Sequence, residues 1–382
     1  MKKSPYASAC SWIVSTVCVW MTAANAQTPQ MAQAAAVHPA MRGDGPAPEA
    51  RPFGITKADP ALDSIIAPDA KLELLGDRFG LTEGPVWIRE GKDGYLLISE
   101  MLGNVIYKVT AGKEVSVFLD KAGYSGDDIN NAGIQTRRGR MHVLMIGPEC
   151  TTLDLQGRLV WCASNDGKIM RLEKDGTRSV LADTYEGKRF NGPNDAVIRS
   201  DGAIYFTDPD FALRYGPKSP QKQLPFEAVW LVKGGKPVPL LDSSALGGNP
   251  NGIALSPDEQ FLYLTAGSNK LMRYAVNADG SLGRGALFAE GAGIGDGLKV
   301  DRKGDVFSTG GAGPGVVRIT SPEGKFLGAI NLPISDAEPK AQICATNDAF
   351  GGNDGKTLYI TACEAVYKIQ LRTPGVVPGP AR

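Results

Sequence analysis

Short runs of alternating apolar and polar residues fill the chain from Lys71 onward, and Gly, Asp or Asn separates one run from the next. Such runs predict β-strands, and pairs such as Asp201-Gly202 and Asp279-Gly280 predict the tight turns between them. No run has the 3.6-residue period of an amphipathic helix. The predicted strands are Tyr95–Ser99, Val105–Val109, Leu159–Cys162, Ile169–Leu172, Ile204–Thr207, Val229–Val232, Leu262–Thr265, Leu271–Val276, Val316–Ile319, Leu358–Thr361 and Val366–Ile369. The pattern favours an all-β fold.

One motif recurs six times among these strands, and each copy opens on a side chain that offers an oxygen atom. The opening residues are 66, 45, 57, 45 and 51 positions apart. Repeats of this length are typical of β-propellers, with one blade for each copy. The opening residues are Glu83, Glu149, Asn194, Asn251, Asp296 and Asn347. Equivalent copies would place these six side chains around one axis, at one end of the channel of a six-bladed β-propeller.

The sixth copy shows only three strands, whereas the run Lys71–Leu75 comes before the first motif. We expect this run to form the missing outer strand of the last blade, because closing the ring removes exposed sheet edges. The sequence thus predicts a propeller at residues 66–372 and a Pro- and Gly-rich tail at 373–382. The connection Lys121–Pro148 is longer than the others, and we expect it to lie near the channel mouth.

The N-terminus has the pattern of a secretory signal peptide at residues 1–26. Lys2 and Lys3 precede an uncharged, mostly apolar stretch, and Ala24-Asn25-Ala26 matches a small-x-small cleavage site. The stretch is short for a membrane span, although an uncleaved anchor is the alternative. We expect cleavage after Ala26 and a periplasmic or secreted protein. Residues 27–65, which begin rich in Ala, Pro and Gln, are expected to be a flexible leader.

The composition excludes some classes of partner. Lys and Arg number 41, as do Asp and Glu, and no basic stripe with interleaved aromatic residues is present. Nucleic-acid binding is therefore not expected. We expect a small-molecule partner, no membrane association after signal cleavage, and a monomer or small homo-oligomer.

Four cysteines outside the signal peptide form two pairs, and each pair flanks a predicted hairpin turn. Cys150 and Cys162 lie on either side of Gln156-Gly157, and Cys344 and Cys363 on either side of Asn353-Asp354-Gly355. Residues at equal distances from a turn face each other across the ladder. Disulfides are therefore feasible in an oxidising compartment, and buried free thiols are the alternative.

Four of the opening residues form a candidate cage for a hard metal ion. Glu83 and Asp296 supply carboxylates, and Asn194 and Asn251 supply amide carbonyls. This set suits one divalent cation, Ca²⁺ above all, with Mg²⁺, Mn²⁺ and Zn²⁺ as alternatives. Zn²⁺ fits less well because it prefers His and Cys ligands, and the chain has 2 His. The alternative is that these residues only cap strands and bind channel water.

Several segments resemble the gluconolactonase family, which includes regucalcin (senescence marker protein) and is related to diisopropyl fluorophosphatase. The segments are Glu83–Trp87, Tyr185–Asp195, Phe206–Pro209, Pro250–Asp258 and Asp296–Asp301. The resemblance extends over about 72–371 and suggests a secreted bacterial member. It implies a six-bladed propeller with one divalent metal in the channel. It further implies that Glu83, Asn251 and Asp296 are metal ligands, and that Asn194 lies at the metal and meets the substrate.

The second copy departs from this family. It reads Glu149-Cys150-Thr151-Thr152 where many bacterial members have Asn-Gly-Leu-Thr. Cys162-Ala163-Ser164-Asn165 likewise stands where many carry Glu-His or Gln-His. Glu149 is therefore a candidate fifth oxygen ligand, general base or substrate-binding group, or the mark of a member without activity.

Our leading hypothesis from the sequence is metal-assisted hydrolysis of a sugar-derived lactone. Asp296 or Glu149 would take the proton from the attacking water, and Asn194 and Glu149 would bind the substrate. One alternative is hydrolysis of a phosphotriester or another ester at the same site. Another is a non-catalytic binding module with a structural calcium, because a propeller fold does not fix a function.

Overall fold

The computed structural model describes residues 51–91, 93–130, 132–138, 141–266, 269–312, 315–334 and 344–380. It is a six-bladed β-propeller, as predicted from the repeats. The innermost strands of the six blades contact one another in sequence order, and the sixth contacts the first. The ring is therefore closed around a central channel. The predicted signal peptide lies outside the described residues.

The first half of the chain forms blades 1 to 3, each of which runs from the channel outward. Two strands, β1 (Gly54–Lys57) and β2 (Leu72–Gly76), precede them. Blade 1 contains β3 (Thr82–Glu90), β4 (Asp93–Glu100), β5 (Val105–Thr110) and β6 (Val115–Leu119). The hairpin β7 (Ile134–Arg138) and β8 (Met141–Met145) follows. Blade 2 contains β9 (Thr151–Leu153), β10 (Leu159–Ala163), β11 (Lys168–Leu172) and β12 (Arg178–Ala182). After the small hairpin β13 (Thr184–Tyr185) and β14 (Lys188–Arg189), blade 3 contains β15 (Ala196–Ile198), β16 (Ile204–Asp208), β17 (Ala228–Lys233) and β18 (Lys236–Asp242).

The second half forms blades 4 to 6. Blade 4 contains β19 (Pro250–Leu255), β20 (Phe261–Ala266), β21 (Lys270–Val276) and β22 (Leu282–Glu290). Blade 5 contains β23 (Leu298–Val300), β24 (Val306–Thr309), β26 (Val316–Thr320) and β27 (Phe326–Asn331), and blade 6 contains β29 (Asn347–Gly351), β30 (Thr357–Ala362) and β31 (Ala365–Gln370). The short pair β25 (Gly311–Ala312) and β28 (Cys344–Ala345) links these two blades. The helices are short: α1 (Ser243–Leu246) and three 3-10 turns at Pro60–Ser64, Ser164–Asp166 and Gly216–Lys218. All eleven strands predicted from alternation lie within observed strands.

The hydrophobic core is divided into six clusters, one between each pair of adjacent blades. This division explains why inner strands are apolar on both faces: a neighbouring blade covers each side. All five residues of β10 are buried, whereas β12, at the outer edge of the same blade, has one buried residue, Ala182. Trp230 illustrates the packing, since its ring centroid lies 5.0 Å from that of Phe190 in the cluster between blades 2 and 3.

The ring closes as the sequence predicted. Strand β2 pairs antiparallel with β31, so that Leu72 faces Ile369 and Glu73 faces Lys368. The Glu73 carboxylate lies 3.2 Å from Lys368 Nζ and 3.1 Å from Lys113 Nζ of blade 1. The segment before the first motif is thus the fourth strand of the last blade.

The C-terminal part of the predicted leader is part of the fold, contrary to the boundary expected at residue 65. Residues 54–57 form β1, which adds a fifth strand to blade 5 by pairing with β27. Leu62, Ile65 and Ile66 are at most 2% exposed and pack between blades 5 and 6. The leader was defined by its Ala- and Pro-rich beginning, whereas the apolar residues near its end bury enough surface to hold it in place.

The C-terminal tail also docks on the propeller. Val376 N donates to Val300 O at 3.0 Å, and Gly375 packs so closely on Phe350 that a Cβ there would lie 1.8 Å from its ring. Val376 and Pro378 line a mostly apolar cavity of about 120 Å³ within the channel. Among the described residues, no helix has the length and apolar character needed to cross a membrane.

The long connection between blades 1 and 2 lies at the predicted end of the channel. Ile146 N and Gly147 N donate to Met101 O, and Met101 directly follows β4 at the end where β3 begins. Ala132 forms a β-bridge with Leu213, in the loop after β16 of blade 3. The connection therefore reaches across this end of the propeller from blade 1 to blade 3.

Candidate active site

Three glycines explain how the opening residues of the six motifs come together. A Cβ on Gly84 would lie 2.1 Å from Glu149 O, and one on Gly252 would lie 2.3 Å from Asp296 O. A Cβ on Gly297 would lie 2.1 Å from Asn347 Cγ. In each case the glycine that follows one opening residue leaves room for the opening residue of the next blade. Glycine is required at these positions because the neighbouring chain approaches too closely for any side chain.

Threonine hydroxyls fix the backbone around the same ring. Thr265 Oγ1 donates to Asp296 O at 2.7 Å, and Thr309 Oγ1 donates to Thr346 O at 2.7 Å. Thr346 Oγ1 in turn donates to Thr82 O at 2.8 Å, which joins blade 6 to blade 1. These bonds, two of them fully buried, cross from blade to blade directly beside the opening residues, so the scaffold sets the positions of those residues.

Both predicted cysteine pairs are disulfides, and both lie beside this ring. The Cα–Cα distance is 5.0 Å for Cys150–Cys162 and 5.7 Å for Cys344–Cys363. Cys150 follows Glu149 in the chain, while Cys363 O accepts from the backbone N of Thr82, the residue before Glu83, at 2.8 Å. The first disulfide therefore lies within blade 2, which carries Glu149, and the second lies at blade 6, against the residue that precedes Glu83.

Three acidic side chains of the ring influence one another. Glu83 is 7% exposed and Glu149 is 6% exposed. Burial raises the pKa of Glu83 to about 7, and the charge of Asp195 adds to the increase. Burial, followed by the charge of Glu83, raises the pKa of Glu149 well above its usual value. Burial and the charges of Glu83 and Glu149 do the same to the pKa of Asp296. The three carboxyl groups thus form one poorly hydrated group, in which the charge of one acid disfavours ionisation of the others.

The two predicted amide ligands are placed differently. The Asn251 side chain lies beside the Asp296 carboxyl and acts to lower the pKa of that group, so blades 4 and 5 meet at the ring. Asn194 is half-buried, and its backbone N donates to Thr207 O at 2.9 Å just before β15 begins. The structure therefore brings Glu83, Glu149, Asn251 and Asp296 into one group and places Asn194 at the same strand end.

Four further polar residues lie directly around this group: Asp195, Lys299, Asn347 and Asp348. Asn347 was predicted only to lie on the ring, and the sequence analysis assigned no position or role to the other three. Asp195 and Asp348 each follow an opening Asn and precede an Ala, so the repeated Asn-Asp-Ala of blades 3 and 6 was an available signal. Both carboxylate oxygens of Asp348 are buried without a hydrogen bond among the described residues, and burial raises its pKa to about 7. Lys299 Nζ lies 3.6 Å from Asp195 Oδ2.

The chemistry of this group fits a hard divalent cation. Clustered carboxylates with little water and one nearby lysine need positive charge or protons, and oxygen donors are the ligands that Ca²⁺ and Mg²⁺ prefer. The described part of the chain holds no group of three or more His, Cys, Asp or Glu side chains arranged to bind a metal. The predicted cage has only two acids beside its two amides and is therefore not a group of that kind. Its ligand set stays a prediction.

The protein is thus a six-bladed propeller that carries a polar site of acids and amides at one end of its channel. The sequence profile of the SMP-30/gluconolactonase/LRE-like region matches residues 81–364, and the chain belongs to this family. A gluconolactonase of Zymomonas mobilis is 31% identical over 334 residues, which span 84% of this chain and 87% of that protein.

Two solved structures show the same architecture. A gluconolactonase from Xanthomonas campestris is 28% identical with a TM-score of 0.66, and the match covers 86% of this chain and 99% of that one. A regucalcin from Agrobacterium tumefaciens, described as calcium-binding, has a TM-score of 0.61 at 17% identity, covering 82% of this chain and 98% of that one. At 17% identity the second likeness shows the fold alone.

The raised pKa values predict how stability depends on pH and calcium. Folded Glu83 and Asp348 have pKa values of about 7, so they retain protons that the unfolded chain releases above roughly pH 4. The metal-free protein should therefore lose stability as pH rises from 5 to 8. Calcium at about 100 times its Kd should restore roughly 3 kcal/mol at pH 8, or about 5 °C in Tm.

Thermal unfolding with chelator and with Ca²⁺, at pH 5 and pH 8, checks this. Asp208 and Asp305, whose pKa values burial also raises to about 7, should add to the pH dependence without contributing to the calcium effect. A metal-free Tm that rises between pH 5 and pH 8 would contradict the prediction.

Proposed function

We propose that this protein hydrolyses a neutral, sugar-derived lactone with the help of a divalent cation held at the channel end. The single observation that carries the proposal is the buried group formed by Glu83, Glu149 and Asp296, whose pKa values are all raised. Perturbed acids clustered at one site are typical of catalytic centres. The relationship to gluconolactonases supports lactones as the substrate class.

Each residue has a role that follows from its position. Glu83, Asn194, Asn251 and Asp296 would hold the cation, which when bound would polarise the lactone carbonyl and lower the pKa of water. Glu149 would act as the general base, because its raised pKa brings it closer to neutral pH. It would take a proton from the water whose oxygen attacks the carbonyl carbon. As the ring C–O bond breaks, Glu149 would return the proton to the departing ring oxygen.

The charge of the site favours an uncharged substrate. Glu83, Glu149 and Asp296 face the site. Lys299 is the positively charged side chain that lies beside them. An anionic substrate would be repelled, whereas a polyhydroxylated lactone offers hydroxyl donors to Glu149 and Asn194. The two disulfides also support export to an oxidising compartment, which we propose as the protein's location.

The test is hydrolysis of five- and six-membered aldonolactones by the chain from Gln27 to Arg382, followed with a pH indicator. Turnover should disappear after chelation and return with Ca²⁺ or another divalent ion. A neutral phosphotriester and a simple aryl ester belong in the same panel. Faster turnover of either than of every lactone would replace the lactonase proposal by the ester hydrolase alternative. Calcium binding without turnover of any substrate would favour the binding module.

A further inference from the structure

The Glu83 carboxylate is held by only one of its two oxygens. Oε2 accepts hydrogen bonds from Gly84 N at 2.8 Å and from Asn347 Nδ2 at 3.1 Å. Among the residues that the structure describes, none donates a hydrogen bond to Oε1. The protein thus occupies one oxygen of Glu83 and leaves the other for the channel.

The orientation of the Asn347 amide is fully determined by its neighbours. Its Oδ1 accepts from Lys299 Nζ at 3.0 Å and from Asp348 N at 3.0 Å. Both of these groups are donors only, whereas an ionised Glu83 only accepts, so the amide must turn its NH₂ group to Glu83. The absence of a side chain on Gly297 makes room for the amide, since a Cβ there would lie 2.1 Å from Asn347 Cγ.

Lys299 is itself held from two sides of the channel. Its Nζ donates to Leu298 O at 2.9 Å in blade 5 and lies 3.6 Å from Asp195 Oδ2 in blade 3. Asp195 Oδ2 in turn accepts from Ile253 N of blade 4 at 3.2 Å. The ammonium group that anchors Asn347 is therefore fixed by the scaffold.

We propose that Asn347 and Lys299 are positioning residues of the cation site. Lys299 anchors the Asn347 amide, and Asn347 holds Oε2 so that Glu83 presents Oε1 alone to the cation. The chain of contacts runs from blade 5 through blade 6 to blade 1, across the point where the ring closes. This inference rests on the proposed function, because it assigns a role toward the cation that the proposed function requires.

Calcium titration calorimetry of the full mature chain, stripped of metal, tests the proposal without measuring activity. Asn347→Leu should weaken calcium binding 10- to 100-fold, as is usual when a group that orients a metal ligand is removed. The matched control is Asn331→Leu, which removes an amide bonded to Thr56 Oγ1 at 2.9 Å on blade 5. The control should change the affinity less than twofold.

A double-mutant cycle with Lys299→Met tests the anchor. Removing the positive charge of Lys299 by itself tightens cation binding, with or without Asn347. Loss of the hydrogen bond from Lys299 to Asn347, in contrast, weakens cation binding, and this effect exists only when Asn347 is present. We therefore expect Lys299→Met to tighten calcium binding at least fivefold more in the Asn347→Leu background than in the wild-type background. Equal fold-changes in the two backgrounds would overturn the role of Lys299.

The outcomes separate this inference from the proposed function. A wild-type chain that binds no divalent cation would remove both. A wild-type chain that binds Ca²⁺, together with an Asn347→Leu variant of unchanged affinity, would overturn the positioning role alone. Thermal unfolding in chelator verifies that each variant folds, and Asn347→Ser replaces Asn347→Leu in the cycle if the larger side chain prevents folding.

Discussion

Glu83→Gln should strongly weaken calcium binding and lactone hydrolysis together. The substitution keeps the size of the side chain and its hydrogen bond from Gly84 N, but it removes a buried negative charge from the ring. A cation held by two carboxylates and two amides loses half of the opposing charge. We expect calcium affinity to fall at least 100-fold, roughly 3 kcal/mol, and kcat/KM to fall in parallel.

The measurement is calorimetric titration with Ca²⁺ beside lactone hydrolysis at saturating metal. Glu259→Gln is the matched control: Glu259 accepts from the backbone N and the hydroxyl of Ser200 and lines the apolar cavity. The control should leave both quantities within about twofold, the size of effect that surface substitutions usually have. Retention of both calcium affinity and activity in Glu83→Gln would remove Glu83 from the cation site.

The sequence predicted the fold well because the motif spacing and the turn residues are local signals. Each blade carries its own copy, so the number of copies gave the number of blades, and alternation gave the strands. The closure of the ring by β2 could also be predicted from the sequence, because a blade that lacks one strand leaves an unpaired sheet edge. The leader boundary was wrong because residues 54–66 are held by contacts with blades 5 and 6, far away in sequence.

Only the opening residues of the motifs, among the residues of the candidate site, could be predicted from the sequence. Opening residues could be found from their repeated position, and the glycines after Glu83, Asn251 and Asp296 stood beside them in the motif. The roles of Lys299 and Asn347 depend on contacts between blades 5, 6 and 1, which no spacing within one copy reveals. The raised pKa of Glu149 likewise arises from burial and from Glu83 in the neighbouring blade.

Glu149 decides whether this chain uses a general base at the opening of its second motif. Glu149→Gln should lower kcat by 10²- to 10⁴-fold, the usual contribution of a general base. Calcium affinity should fall less than tenfold, because a neighbouring charge is lost but no ligand is. A loss of calcium affinity as large as that of Glu83→Gln would instead make Glu149 a fifth ligand.

The pH profile of kcat separates a base from a group that only binds substrate. In the wild type, activity should decline as pH falls through the pKa of Glu149, which burial and the charge of Glu83 raise and which a bound cation lowers. The residual activity of Glu149→Gln should lack this decline, whereas loss of a substrate contact would raise KM and leave the profile in place. Glu149→Asn, which gives the second motif the amide that opens three of the other motifs, completes the comparison. If it keeps the wild-type rate and profile, the attacking water is activated without Glu149, and Asp296 becomes the base to test.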